Sequence, residues 1–167
     1  MIRSFNGKTP RIAESAFVSE AAYVIGDVEI GENSSVWPGA VIRGDHSNPR
    51  IGKNTHIEDN SVIHGGVNIG DNVIVGHGTI IHCRRIGNNV LIGMNATLLN
   101  GAEIGNFCVI GAGCLVSQGM KIPDNSFVVG VPAKIQRQVS PEQTLRWLEQ
   151  APEIYIKLAN EYKEQGV

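Results

Sequence analysis

A branched aliphatic residue returns every six positions along most of the chain. The series runs Ile12, Val18, Val24, Ile30, Val36, Ile42, then Ile51, Ile57, Ile63, Ile69, Val75, Ile81, then Ile86, Ile92, Leu98, Ile104, Ile110, Val116, Ile122 and Val128. Glycine follows the aliphatic in many units, as at Gly31, Gly52 and Gly70, and the fifth residue is usually small, as at Ala16, Ser34, Thr79 and Ala102. The period breaks twice, with an insertion between Ile42 and Ile51 and a deletion between Ile81 and Ile86. A unit this short holds one strand and one turn and cannot bury its apolar side alone, so successive units must stack. Three units make a triangular turn of about 18 residues. The pattern therefore predicts an all-β fold over residues 1–133, a parallel β-helix of hexapeptide repeats that begins near residue 12. Alternation along each strand turns the first and fifth residues inward and the second and sixth outward, leaving the third and fourth at corners. Pairs such as Asp71-Asn72 and Asn88-Asn89 suit corners, because asparagine tolerates a left-handed backbone. The period alone leaves the hand of the coil open.

The repeat ends near Val131-Pro132-Ala133-Lys134, and residues 134–167 read as a linker and a C-terminal α-helical segment. Ser140 and Gln143 form a capping box with Pro141 at the first helical position, and Leu145 and Leu148 follow at helical spacing. Pro152 is expected to start a second helix carrying Tyr155, Leu158 and Tyr162. These helices are expected to cover one flank of the coil and block an open end.

Composition supports strands over helices. The chain has 20 Ile and 17 Val against 7 Leu, and 19 of its 20 Gly precede Lys134, which excludes a helical bundle. A net charge of −2 with no basic run lacks the footprint of a nucleic-acid binder. No stretch approaches the roughly 18 apolar residues of a membrane span, and the N-terminal residues lack the apolar centre of a secretion signal. The expected partners are small molecules and other protein chains, with no nucleic acid and no membrane, and the expected location is cytoplasmic. Three cysteines, Cys83, Cys108 and Cys114, without zinc-ribbon or redox spacing, suit reduced thiols.

Two histidines depart from the repeat. His64 and His82 occupy outward second positions one coil apart, where many other units carry glycine, so they stack on one face about 4.8 Å apart. Arg43 holds the same column one coil earlier, and Leu99 follows one coil later. Stacked imidazoles can converge on zinc, and catalytic zinc commonly takes three protein nitrogens and a water. His77 lies at a corner of the same coil as His82 and should diverge from the other two. If coils pack around a threefold axis, His77 of one subunit can complete the set of its neighbour.

Here the segments Val36-Trp37-Pro38-Gly39-Ala40-Val41-Ile42-Arg43-Gly44-Asp45, Ile57-Glu58-Asp59-Asn60-Ser61-Val62-Ile63-His64, Val75-Gly76-His77 and Ile80-Ile81-His82 resemble the γ-class carbonic anhydrase family. The resemblance covers essentially the whole chain. It implies a left-handed β-helix that assembles as a homotrimer, with a metal at each subunit interface. His64, His77 and His82 fall on the family's ligand positions, with His77 reaching across the interface. The implied metal is zinc, with iron or cobalt also suited to imidazole ligands. The implied reaction is hydration of carbon dioxide to bicarbonate by a zinc-bound hydroxide. Arg43 and Asp45 fall on a pair implied to bridge subunits, and Asp59 stacks beside His77 as a candidate partner of its ring.

Three features depart from the family pattern. The acidic loop that carries a shuttling glutamate in the archetypal enzyme is absent, since His64 runs directly into Gly65-Gly66. Glu58 stands where the family has glutamine, which makes it a candidate general base, and His56 stands where it has asparagine. His56, or His46 in the inserted segment, is the expected proton shuttle. Two other readings compete: a hexapeptide-repeat acyltransferase, since Gly130-Val131-Pro132-Ala133-Lys134 also resembles the end of those enzymes, and a catalytically silent structural relative.

Overall fold

A computed structural model describes residues 1–166. The chain folds as a left-handed parallel β-helix with a helical segment at its C-terminal end. Short strands stack into three faces, and each aliphatic of the repeat sits over its equivalent in the next coil, as in the run Ile42, Ile63, Ile81, Leu98. All the repeat aliphatics except Ile12 and Val18 are buried, and with fifth-position residues such as Ala40, Ala96 and Cys114 they form one continuous core. Coils approach so closely at second-position glycines that a side chain has no room. A Cβ on Gly31 would stand 2.6 Å from the carbonyl oxygen of Gly52.

Corners hold the left-handed residues that the pattern requires. Asn33, Asn54, Asn72 and Asn89 have φ between 50° and 56° and link through their side-chain amides from coil to coil, for example Asn54 to Asn72 at 3.0 Å. One coil further the column is taken by Phe107, also at φ 54°. A bulky residue in this region is strained by about 1 kcal/mol. Phe107→Asn is therefore expected to stabilise the protein by about that amount, read as a higher urea midpoint at unchanged slope.

The three faces differ outside. The second face carries Arg11, Glu29, Arg50, Asn68, Arg85, Glu103 and Lys121 along one outward column, with Arg50 paired to Glu29 at 2.8 Å, and this composition suits contact with water. The third face is covered by the C-terminal helix, whose Tyr155, Leu158, Ala159 and Tyr162 pack on Phe17 and Trp37. The first face presents Tyr23, Val41, Val62, Ile80, Thr97 and Leu115, a largely aliphatic column in which Ile80 is exposed and the others are half-buried, while the C-terminal helix packs on the third face instead.

Two expectations for the C-terminal region are corrected. Residues 134–138, read as linker, form a strand that pairs antiparallel with Ser126–Val129 and extends the third face, with the Arg137 guanidinium 4.0 Å above the Phe127 ring. That strand, and not a helix, pairs onto the last coil. Pro152 stands in the first turn of the α-helix Ala151–Gln165, but that helix is not separate from the turns before it. Ser140 caps Pro141–Gln143 as the motif predicts, Thr144–Gln150 winds in wider π turns, and Ala151–Gln165 continues without a break. A wider turn displaces the carbonyl that a proline ring would strike and absorbs the missing N–H. Among the described residues no helix is long and apolar enough to cross a membrane.

Candidate metal centre

The repeat register brings His64 and His82 together on the first face. The backbone N–H of His82 bonds Leu98, the Cα of His64 pairs with that of Arg43, and the two imidazoles lie 5.4 Å apart between centroids, tilted by 43°. Gly65, at φ 100°, lies beside the His82 ring, and a Cβ there would meet the ring at 3.5 Å.

Arg43 and Asp45 bracket His64 within the same chain. The Arg43 guanidinium is 2.9 Å from the Asp45 carboxylate, and Asp45 Oδ1 lies 3.2 Å from His64 Nε2. Within one chain the two side chains already meet, just past the end of the strand Val41–Gly44. Burial pushes the Asp45 carboxyl up. The His46 main-chain N–H, the His64 ring and the Arg43 charge outweigh it and hold the group below the usual carboxylate range.

His77 sits apart from both, at the corner between the third and first faces, with about half its side chain exposed. Its Nδ1 is 3.0 Å from Asp59 Oδ2, one coil earlier in the same column. Its Nε2 is 3.0 Å from Glu58 Oε2, and the same oxygen accepts the His77 main-chain N–H at 3.0 Å. Glu58 is buried, and its other oxygen accepts a hydrogen bond from the Tyr155 hydroxyl of the C-terminal helix. An apolar crevice of about 300 Å³ opens beside this group beneath the helix, floored by Gly76 and Gly93 and walled by Leu91, Met94, Trp147 and Tyr155.

Among the described residues no group of three or more His, Cys, Asp or Glu in one chain is placed to hold a metal ion. The donor chemistry fits one nonetheless, provided two chains share it. One edge presents a facing pair of imidazoles, the other presents a third that is exposed and backed by carboxylates, and the aliphatic column between these edges is uncovered.

The expected shuttles separate. His46 is exposed on the inserted segment and shares with Asp45 a polar cleft of about 360 Å³, closed on its other side by Phe5, Asn6 and Lys8. His56 is corrected. Its ring is wholly buried under the C-terminal helix, stacked on Tyr155 at 5.2 Å, with Nδ1 2.8 Å from Ser35 Oγ and Nε2 without a hydrogen-bond partner. Burial pulls its pKa down to about 4, so near neutral pH it stays uncharged and closed to solvent, which does not suit proton transfer to buffer. Cys83, next to His82 in sequence, points into the core, where burial pushes its thiol up to about 12.

Tyr155 escaped the sequence reading as a site residue. Its helical spacing with Leu158 and Tyr162 marks it as a packing residue, and no local signal links it to Glu58, 97 residues away.

Comparison with known proteins places the fold. Residues 9–44, 48–83 and 85–118 match the sequence profile of the bacterial transferase hexapeptide family (six repeats). A probable carbonic anhydrase of Methanocaldococcus jannaschii is 46% identical over 156 residues, which is 89% of this chain and 95% of that protein. The mitochondrial gamma carbonic anhydrase 2 of Arabidopsis thaliana is 38% identical over 91% of this chain and 58% of its own length. Among solved structures, a proposed acetyltransferase from Bacillus cereus superposes with a TM-score of 0.93 at 38% identity, over 98% of this chain and 97% of that one. A hexapeptide transferase family protein from Anaplasma phagocytophilum gives the same TM-score at 35% identity, over 96% and 97% of the two chains. With repeats matched along three segments and identity sustained across nearly the full length of a carbonic anhydrase relative, the chain belongs to the γ-class carbonic anhydrase family of hexapeptide-repeat proteins.

Proposed function

We propose that the protein is a γ-class carbonic anhydrase-like metalloenzyme that interconverts carbon dioxide and bicarbonate at sites shared between subunits of a homotrimer. The observation that carries this reading is the facing pair His64 and His82 at one edge of an uncovered aliphatic face, with His77 at its other edge. Burial of Val41, Val62, Ile80 and Leu115 against a neighbour at about 25 cal/mol per Å² would drive assembly. His64 and His82 of one subunit and His77 of the next would hold the metal. Zinc, or iron or cobalt, would supply there the Lewis acidity that lowers the pKa of a water toward neutral pH.

The chain's own groups prepare that site. Asp45 and Arg43 hold His64 in place from one side, and Asp59 orients His77 through Nδ1. Glu58 is the candidate general base, and its hydrogen bond from Tyr155 fixes its direction. His46, exposed beside Asp45, is the proposed carrier of protons to buffer. The proposed location is the cytoplasm, in keeping with three free and buried cysteines.

Anaerobic purification, metal analysis, size measurement and a carbon dioxide hydration assay test the reading together. About one metal per chain in a trimer that hydrates carbon dioxide is expected. A second reading, acyl transfer, is favoured by the likeness to the Bacillus cereus and Anaplasma proteins. Acetyl-CoA-dependent transfer that survives loss of His64 and His82 would replace the first reading with the second. Stoichiometric metal without hydration would mark a silent relative.

A further inference from the structure

We infer that Tyr155 is a positioning residue for His77, acting through Glu58, so that docking of the C-terminal helix tunes the metal affinity of the neighbouring subunit's site. The inference rests on the metal-centre reading above. The geometry is a relay of three side chains. The Tyr155 hydroxyl donates to Glu58 Oε1, and Glu58 Oε2 both accepts the His77 main-chain N–H at 3.0 Å and lies 3.0 Å from His77 Nε2. Asp59 occupies Nδ1 on the other side of the ring at 3.0 Å. The imidazole is thus clamped between two carboxylates, and the nitrogen that faces Glu58 is the one left for a metal once Asp59 holds the other.

Glu58 therefore has two effects on His77. It anchors the backbone that aims the ring, and it competes with a metal for Nε2. The Tyr155 hydroxyl settles the balance between them. By donating to Oε1 it satisfies part of a carboxylate that is almost fully buried, which weakens the hold of that carboxylate on the ring and fixes its direction toward the backbone N–H. Without the hydroxyl, a buried carboxylate keeps His77 as its remaining partner and grips the ring more tightly. Tyr155 is an effective point of control because the rest of its ring is packed against His56 and Trp37, so the hydroxyl arrives on a rigid support.

Tyr155→Phe removes only the hydroxyl and leaves the packing. Zinc-loaded wild-type and variant proteins titrated with a chelator should differ by about tenfold in the chelator concentration that strips half the metal, the range for groups that orient metal-binding histidines. On a Glu58→Gln background the same substitution should change that concentration by less than about twofold, because the relay is already cut. A role in helix packing alone would lower the unfolding midpoint and leave the chelator curve in place, which would overturn the inference. Equal effects of Tyr155→Phe with Glu and with Gln at position 58 would also overturn it. A second measurement separates this outcome from failure of the metal-centre reading. In the metal-free protein at fixed pH, the ring nitrogens and main-chain amide of His77 should shift in nuclear magnetic resonance spectra of Tyr155→Phe. If wild type takes up no metal, the metal-centre reading falls and these shifts alone decide the relay. If the His77 signals stay where they are, the relay is wrong.

Discussion

Mixing His64→Ala subunits with His77→Ala subunits should restore about a quarter of the metal binding that neither variant retains alone. If sites are shared as proposed, each variant by itself lacks one imidazole at every site, so both should lose metal to a similar degree, although one changes the first face and the other a corner. In a mixed trimer, however, a His77→Ala subunit still offers an intact His64 and His82 pair, and a His64→Ala subunit still offers His77. With random assembly about one interface in four joins the two intact halves. The measurement is metal per chain after the variants are unfolded, mixed and refolded together. No recovery above the unmixed variants would mean that each chain holds its own metal or that none is held. Recovery is a strong outcome because it can arise only from sharing.

Acid should destabilise the protein through His56 by about 3 kcal/mol between pH 6.5 and pH 4. The sign follows from where protons bind. Burial holds the folded-state pKa at about 4, against 6.5 for the free side chain, so in this window the unfolded chain takes up a proton that the folded chain refuses. Unfolding is favoured as pH falls through 6.5, the loss grows until about pH 4, and above 6.5 the group contributes no pH dependence. Desolvation dominates, and Ser35 and the start of the C-terminal helix leave no charged partner directly on the ring. Glu58 and Tyr155 are the titratable groups packed nearby. Urea midpoints of wild type and His56→Phe, measured from pH 7 down to pH 4.5, test this. The variant keeps the stack on Tyr155, and its midpoint should fall less steeply with acid. Parallel slopes would show that His56 is not the group responsible.

Much of the molecule was legible in the chain because a six-residue period is a local property. Nearly every aliphatic of the repeat reports its own burial, each glycine after it reports a close approach of coils, and the asparagines at the fourth position, such as Asn33, Asn54, Asn72 and Asn89, report a left-handed backbone. The stacking of His64 on His82 is legible for the same reason, since register converts a difference in residue number into a distance. Where the period stops, so does this legibility. Lys134–Gln138 reads as linker because a strand five residues long without alternation gains its identity only from the edge it meets. Pro152 reads as a helix start because local propensity does not anticipate π turns that absorb a proline.

By itself the sequence determined the coil, its inward and outward sides, the column that carries Arg43, His64 and His82, and the cap at Ser140. Only the tertiary structure decided what lies over each face. The coil offers the C-terminal helix three faces. By choosing the one with Phe17 and Trp37 it buried His56, brought the Tyr155 hydroxyl onto Glu58 and left bare the aliphatic face beside the two histidines. The physical reason is range. A repeat specifies contacts between neighbouring coils through backbone hydrogen bonds, whereas the seat of the helix depends on aromatic packing between residues more than a hundred positions apart, and no local pattern encodes that packing.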